Sequence, residues 1–185
     1  MSRKNRVVPM PNWSTIRGFH VSSRWNTGRN SPAAAAPPAL AIIKLSQIAA
    51  KRTDNNWTLI GSGDFINNFV VTIPKGSTLN IPAGQHLLIS SPFTLVNNGH
   101  MTIYGTVTAS SGGTFINNEH IDHFGNNTLN IHGNFQNNKT MTNTGTVNIG
   151  ATGKFVNADE GQLTNRGIVD NNGEFENNNT VDNYG

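Results

Sequence analysis

Gly113-Thr-Phe-Ile-Asn-Asn118 recurs every twenty residues, as Gly133-Asn-Phe-Gln-Asn-Asn138, Gly153-Lys-Phe-Val-Asn-Ala158 and Gly173-Glu-Phe-Glu-Asn-Asn178. Aligned in this way, the repeats form a glycine column (Gly113, Gly133, Gly153, Gly173), an aromatic column (Phe115, Phe135, Phe155, Phe175) and an asparagine column (Asn97, Asn117, Asn137, Asn157, Asn177). Leu95 takes the aromatic position of the first repeat. A fixed period with turn residues in register predicts a solenoid in which each repeat is one coil.

Each coil is predicted to contain two or three short strands, separated by turns at Gly and Asn. Each strand would pair in parallel with the same strand one coil on, which places phenylalanine on phenylalanine inside and stacks the asparagine amides into a ladder. The corners are expected to need a left-handed backbone, which Asn and Gly tolerate. Two further inward columns follow from the same period: Met101, Ile121, Met141 and Val181, and Ala109, Leu129, Ile149 and Val169. The predicted fold class is all-β, a parallel β-solenoid with 20-residue coils.

The period is irregular at two places. In the fourth coil Gly161 takes an apolar position and Leu163 follows two residues late, which predicts a two-residue bulge that is compensated within the coil. Upstream, Phe65-Ile-Asn-Asn68 resembles the start of a coil but lies thirty residues before Leu95. We therefore assign residues 95–185 to regular coils and residues 53–94 to irregular first coils.

The first 52 residues differ from the rest in charge. They contain nine Lys or Arg and no Asp or Glu, whereas residues 53–185 contain four basic and ten acidic residues. Residues 1–36 are rich in proline and alanine and lack apolar periodicity, which predicts an extended basic arm. Residues 37–52 have a loosely amphipathic pattern, which predicts one short helix that caps the first coil. The arm residues expected to bind partners are Arg3, Lys4, Arg6, Trp13, Arg17, Phe19, Arg24, Trp25 and Arg29.

Several classes of function are excluded or disfavoured. The chain has no cysteine, so disulfides and cysteine-based metal sites are excluded. The longest apolar stretch, Ala33 to Ile43, contains two prolines and is shorter than the roughly 20 residues that a membrane-spanning helix needs. No membrane span and no cofactor are expected.

The sequence contains candidate catalytic and metal sites, but each has a better structural interpretation. Asp159 and Glu160 lie near Arg166 in the irregular coil, where solvated turn residues are the better interpretation than acid–base catalysis. His120 and His123, together with Asp122, suggest a metal site. However, His120 and His123 should face opposite sides of a strand, and a column of His100 and His120 would lack a third ligand. The sequence therefore predicts no catalytic residue, no cofactor-binding residue and no metal ligand.

Three segments carry a resemblance to known proteins: Ile73-Pro-Lys-Gly-Ser-Thr-Leu-Asn-Ile-Pro-Ala-Gly84, Leu95-Val-Asn-Asn-Gly99 and Thr144-Gly-Thr-Val-Asn148. They resemble the Asn/Gly-rich β-helix repeats of filamentous-haemagglutinin-type adhesins and of structural proteins of large DNA viruses. The resemblance covers about residues 65–185 and implies a parallel β-solenoid, with no catalytic residues to carry over.

The amino terminus favours the second of these families. Residues 1–29 lack the apolar segment of a secretory signal peptide, which argues against export by the usual route. We therefore expect a non-enzymatic structural protein of a large assembly, a minor capsid or virion component located in the virion. Its expected partners are other structural proteins, among them the major capsid protein, with nucleic acid as an additional ligand of the arm and another subunit covering the open C-terminal coil.

Two alternatives remain open at this point. The first is a surface adhesin or fibre subunit that binds glycans along the flank of the solenoid. The second is a carbohydrate-active β-helix enzyme, which would need carboxylates and basic residues together on one outer face.

Overall fold

A computed structural model of the chain describes residues 42–51, 56–60 and 65–185. The arm predicted for residues 1–36 lies outside the described residues. The described residues form a β-solenoid of about six turns with one short helix, α1 (Leu45–Ile48). The predicted all-β solenoid is confirmed.

The strands form three mostly parallel sheets, and each regular coil contributes one strand to each sheet. Sheet A contains β1 (Ile42–Ile43), β6 (Thr78–Ile81), β9 (His100–Ile103), β12 (His120–His123), β15 (Thr140–Asn143), β18 (Gln162–Asn165) and β21 (Thr180–Asn183). Sheet B contains β2 (Ala49–Lys51), β3 (Asn56–Leu59), β7 (His86–Ile89), β10 (Thr106–Ala109), β13 (Thr128–Ile131), β16 (Thr146–Ile149) and β19 (Ile168–Asn171). Sheet C contains β4 (Ile66–Asn67), β5 (Val70–Ile73), β8 (Thr94–Asn97), β11 (Thr114–Asn117), β14 (Asn134–Asn137), β17 (Lys154–Asn157) and β20 (Glu174–Asn177).

Most strands have the same four-residue pattern, in which the second and fourth side chains point inward. In Thr106-Val-Thr-Ala109, for example, Val107 and Ala109 are buried and both threonines are half-exposed. β-Branched residues suit this pleated, half-buried surface, and the alternation decides which face meets the core. The sequence pattern thus specifies both the strand and its orientation.

The core is a narrow column of side chains from all three sheets. Phe115, Phe135 and Phe155 are almost completely buried, and successive ring centroids along the aromatic column from Phe115 to Phe175 lie 4.9, 4.7 and 5.0 Å apart. A stacked aromatic pair contributes about 0.5 to 1.5 kcal/mol beyond the burial of its area. The predicted aromatic column is therefore a real part of the core.

The twenty-residue period holds without exception in sheet C from β8 onward. Phe115 pairs with Leu95 below and Phe135 above, and Phe155 pairs with Phe175. The strands β8, β11, β14, β17 and β20 therefore lie in one register.

In sheet B the predicted column of Ala109, Leu129, Ile149 and Val169 is wrong. Leu129 pairs with Val107 on one side and with Val147 on the other, so one spacing is longer and the next is shorter than the twenty-residue period. A shift by an even number of positions leaves every inward side chain inward, because side chains alternate along a strand with a period of two. The turns absorb the difference and the core does not change.

The predicted bulge in the fourth coil is confirmed. Leu163 pairs with Met141 on one side and with Val181 on the other, so the longer spacing before β18 is compensated by a shorter one after it. The turn before β18 takes up the additional residues, and the amide of Gly161 donates to the carbonyl oxygen of Ala158 at 2.8 Å.

The first coil differs from the prediction. Val71, and not Phe65, pairs with Leu95, so this coil is shorter than expected, although it is longer than the regular ones. Ile73 lies beneath Asn97 in the asparagine column. The column of amides therefore begins at Asn97, and the side chain below it in the column is the apolar Ile73.

The predicted helix is also shorter than expected. It is a single turn, and the chain continues directly into β2, which pairs antiparallel with β3. Leu45 and Ile48 are buried against the core, so the segment does cover the first coil. Within the described residues, short strands at this end pair with β6, β3 and β5 and so shield the sheet edges.

The glycine column has a different cause from the one predicted. A Cβ atom on Gly133 would lie 2.2 Å from the carbonyl oxygen of Gly113, and one on Gly153 would lie 1.9 Å from that of Ile131. Among the described non-glycine residues, Asn68 and Phe69 are those with positive φ. The stacked corners thus require glycine for close approach. The left-handed backbone expected at the corners occurs at Gly76, Gly84, Gly112 and Gly125, and not at the asparagine and glycine columns.

Candidate functional site

The asparagine column is a continuous buried ladder. The Nδ2 of Asn97 donates to Oδ1 of Asn117 at 2.8 Å, and the same contact at 2.8 Å joins each later pair up to Asn177. The side chains of Asn97, Asn117, Asn137 and Asn157 are fully buried. Each Nδ2 also donates to a backbone carbonyl oxygen, as Asn97 does to His120 at 2.9 Å. These amides are saturated with hydrogen bonds inside the protein, so their role is architectural.

A second ladder at the end of sheet A was missed in the sequence. The Nδ2 of Asn143 donates to Oδ1 of Asn165 at 2.7 Å, and Asn165 donates in the same way to Asn183 at 2.7 Å. Below them, Nδ1 of His123 contacts Oδ1 of Asn143 at 2.7 Å. The sequence signal is Asn-x-Gly, which occurs at this position in three coils. In the first of them, Oδ1 of Asn143 accepts a hydrogen bond from the backbone amide of Gly145.

Replacement of Asn137 by Leu tests the first ladder. It removes the acceptor of Asn117 and the donor to Asn157 in a place without access to water. We expect the free energy of unfolding to fall by about 1 to 3 kcal/mol for each group left without a partner.

Urea denaturation followed by circular dichroism measures this change. The matched control is Asn134→Leu, at the other end of the same strand and on its exposed side, which should change stability by less than about 0.5 kcal/mol. Equal effects of the two substitutions would contradict a buried ladder at Asn137.

His123 is a buried titratable group at the start of the second ladder. Burial lowers its pKa, and this effect outweighs the hydrogen bond to Asn143 and the hydrogen bond to the backbone of Asn127, which both favour the charged ring. Because Oδ1 of Asn143 accepts a hydrogen bond, Nδ1 carries the proton of the neutral ring, and Nε2 has no hydrogen-bond partner among the described residues. The folded protein therefore favours the neutral form of the His123 imidazole.

This arrangement predicts an acid-sensitive contribution to stability. The unfolded chain binds a proton at His123 below about pH 6.5, whereas the folded chain does so only at lower pH, so stability falls as the pH decreases through this window. His123→Asn should remove this contribution and extend the amide ladder by one residue. Denaturation at pH 7.5 and pH 5.5 should show a smaller loss for His123→Asn than for the wild type. The control His132→Asn, which replaces an exposed histidine, should lose as much stability as the wild type. If His123→Asn also lost as much stability as the wild type or this control, the assignment would be refuted.

The outer faces of the three sheets differ in chemistry. Across the strands from β6 to β21, the outward side chains of sheet A are all polar, and those of sheet B are mainly Thr and Asn. In sheet C, Val96 and Ile116 lie side by side and half-exposed. On the same sheet, in the turns before β5 and β8, Phe69 is 56% exposed and contacts Phe93 edge to face, with the ring centroids 5.7 Å apart. These four residues are called the sheet C apolar face below.

The last described coil is the least covered part of the solenoid. Val169, Phe175 and Val181 continue the core but are only partly buried. Ile168 is 61% exposed, and Tyr184 is 67% exposed beneath the guanidinium group of Arg166, 4.9 Å from its ring centroid.

The carboxylates considered for catalysis do not gather around Arg166. Glu160 forms an ion pair with Lys139, which lowers the pKa of that carboxyl, and its side chain is 71% exposed. Lys154 pairs with Glu174 at 2.7 Å and with Glu176 at 3.0 Å on the outside of sheet C. Asp159 and Glu160 are both exposed in the turn before β18.

His100, His120 and Asp122 form a cluster on the outer face of sheet A. One carboxylate oxygen of Asp122 lies 3.0 Å from Nε2 of His100, and the other lies 3.1 Å from Nε2 of His120. As predicted, His120 and His123 lie on opposite sides of β12. Asp122, two residues beyond His120 on the same face, offers a third donor atom that the argument from a two-histidine column leaves out.

The structural columns predicted from the sequence all lie in the described region, and the partner-binding residues do not. Arg3, Lys4, Arg6, Trp13, Arg17, Phe19, Arg24, Trp25 and Arg29 lie outside the described residues. Among the described residues, no helix is both long and apolar enough to cross a membrane.

Comparison of the chain with protein-family models, with curated proteins and with solved structures found no match.

Proposed function

We propose that this protein is a non-enzymatic structural component of a large assembly, in which the solenoid is a rigid spacer that contacts neighbouring subunits. The observation that carries the proposal is the sheet C apolar face. Exposed and half-exposed apolar side chains grouped on one sheet are typical of surfaces that bind other proteins, whereas the outer faces of sheets A and B expose mainly polar groups.

The interior supports a mechanical role. Both amide ladders and the phenylalanine column run through successive coils, so a local deformation would break hydrogen bonds between buried groups. Sheets held in register in this way offer a stiff surface for a protein partner.

Within this class, a minor capsid or virion protein is the form that we favour. The acid-free arm of residues 1–36 would be a tether to neighbouring subunits, the major capsid protein among them, and would order itself by contact. The location in a virion follows from the resemblance to structural proteins of large DNA viruses and from this arm, and it is part of the proposal.

The first test is sedimentation of the native protein from its source through a density gradient. The proposal expects it to migrate with a particle far larger than 20.0 kDa. Recovery as a free monomer would contradict the proposal.

Two lysine substitutions then test the contact surface. Ile116→Lys places a charge in the sheet C apolar face, and Asn148→Lys places the same charge at a half-exposed position in the middle of β16 on sheet B. Both variants should keep the circular dichroism of the wild type. We expect at least a tenfold loss of particle-bound protein for Ile116→Lys and little change for Asn148→Lys. Equal retention of both variants would show that the sheet C apolar face is not the contact surface.

A further inference from the structure

The cluster of His100, His120 and Asp122 has the composition of a metal site. Its three donor atoms lie within 4.8 Å of one another, on half-buried side chains at the surface of sheet A. We propose that these residues bind one divalent transition metal ion, of which Zn²⁺ is the best match.

The backbone register places the three residues together. His100 and His120 are direct neighbours in the parallel pair of β9 and β12, and Asp122 follows His120 by two residues on the same face. The imidazole rings lie 4.8 Å apart at an angle of 68°. The positions of all three Cα atoms are thus fixed by the ladder of the sheet and not by a loop.

A hydrogen-bond chain fixes the orientation of His120. The hydroxyl of Thr140 donates its proton to the carbonyl oxygen of Glu119 at 3.2 Å. Because that proton is used, the hydroxyl oxygen accepts a hydrogen bond from Nδ1 of His120 at 2.6 Å. In the neutral ring, the lone pair on Nε2 then faces the carboxylate of Asp122 at 3.1 Å. Two electron pairs at this distance repel each other unless a positive charge lies between them. A proton on Nε2 or a metal ion can supply this charge, and with a metal ion Thr140 would be the outer partner that orients the ligand.

The distances suit a small ion. Bonds of about 2.0 to 2.2 Å from zinc to nitrogen and oxygen place tetrahedral ligand atoms roughly 3.4 Å apart. The two contacts of 3.0 and 3.1 Å between Asp122 and the histidines are already close to this value. Small rotations of the side chains would complete the geometry without movement of the strands.

The donor set decides the class of metal. Two imidazole nitrogens and one carboxylate favour zinc, cobalt, nickel or copper over magnesium and calcium, which prefer oxygen ligands. Three protein ligands leave a fourth position for water or for a group of a bound molecule. Both histidines line a surface depression together with Lys75, Ser77 and Glu119, and this depression leaves space for such a ligand.

Titration of the full-length, metal-free protein with Zn²⁺ in a calorimeter at pH 7.5 tests the proposal. We expect one equivalent to bind at the cluster. His120→Ala and Asp122→Asn should each weaken binding at least tenfold. Asp122→Asn keeps the size of the side chain and removes its charge, so it separates ligation from packing. The control His132→Ala removes an exposed histidine outside the cluster and should leave binding unchanged.

Titration with Co²⁺ adds a readout that depends on coordination. A tetrahedral site gives an intense visible absorption band, which should appear for the wild type and for His132→Ala and disappear for Asp122→Asn. Absence of a one-to-one binding event in the wild type, or equal affinity of the wild type and Asp122→Asn, would overturn the proposal. Neither result would affect the sedimentation test of the assembly, which uses different residues.

Discussion

The hydrogen bond between one buried asparagine amide and the next is the constraint on which the regular coils depend. A carboxamide in a dry interior needs a partner for each of its protons and for its oxygen, since an unpaired group costs about 1 to 3 kcal/mol. Asn117 meets this need with a second asparagine above, a third below and a backbone carbonyl oxygen beside it. Each coil must therefore present the same residue at the same point, which fixes the register of sheet C and places the phenylalanines in contact.

The inward side chains fix the register of the strands, so the outward side chains of the three sheets can differ. Sheet C carries the apolar face at one end and the ion pairs of Lys154 at the other, sheet A carries the His–Asp cluster, and sheet B exposes mainly Thr and Asn. A change on one outer face leaves the ladders intact, because outward and inward residues alternate along each strand. The same scaffold can thus combine a protein contact and a metal site without conflict between them.

The sequence predicted those features whose spacing is constant. The columns through Phe115 and Asn117 were found because sheet C has no insertions between β8 and β20. The ladder of Asn143 and Asn165 was missed because its spacing first exceeds and then falls short of the twenty-residue period, although the register in space is kept. In sheet B a shift by two positions leaves the hydrophobic pattern unaltered, so the pattern alone could not decide which residues pair.

The His–Asp cluster escaped prediction for a geometric reason. The sequence groups Asp122 with His120 and His123 and places His100 beside His120, but the twenty-residue period does not show that Asp122 contacts His100 diagonally between neighbouring strands. The need for glycine at Gly133 was likewise predicted for the wrong cause, because the close approach of its Cα to the carbonyl oxygen of Gly113 depends on how corners stack. Contacts between strands that are diagonal or involve the backbone are not encoded in the period itself.

The most direct test of the account is hydrogen exchange at the asparagine side chains, followed by nuclear magnetic resonance of the carboxamide groups. In the buried ladder, the Nδ2 groups of Asn97, Asn117, Asn137 and Asn157 donate both to a neighbouring amide and to a backbone oxygen. We expect their protons to exchange at least a hundredfold more slowly than those of the exposed Asn134, because exchange requires the coils to open. Exchange at the rate of Asn134 would contradict the buried ladder and, with it, the register on which the fold is argued to depend.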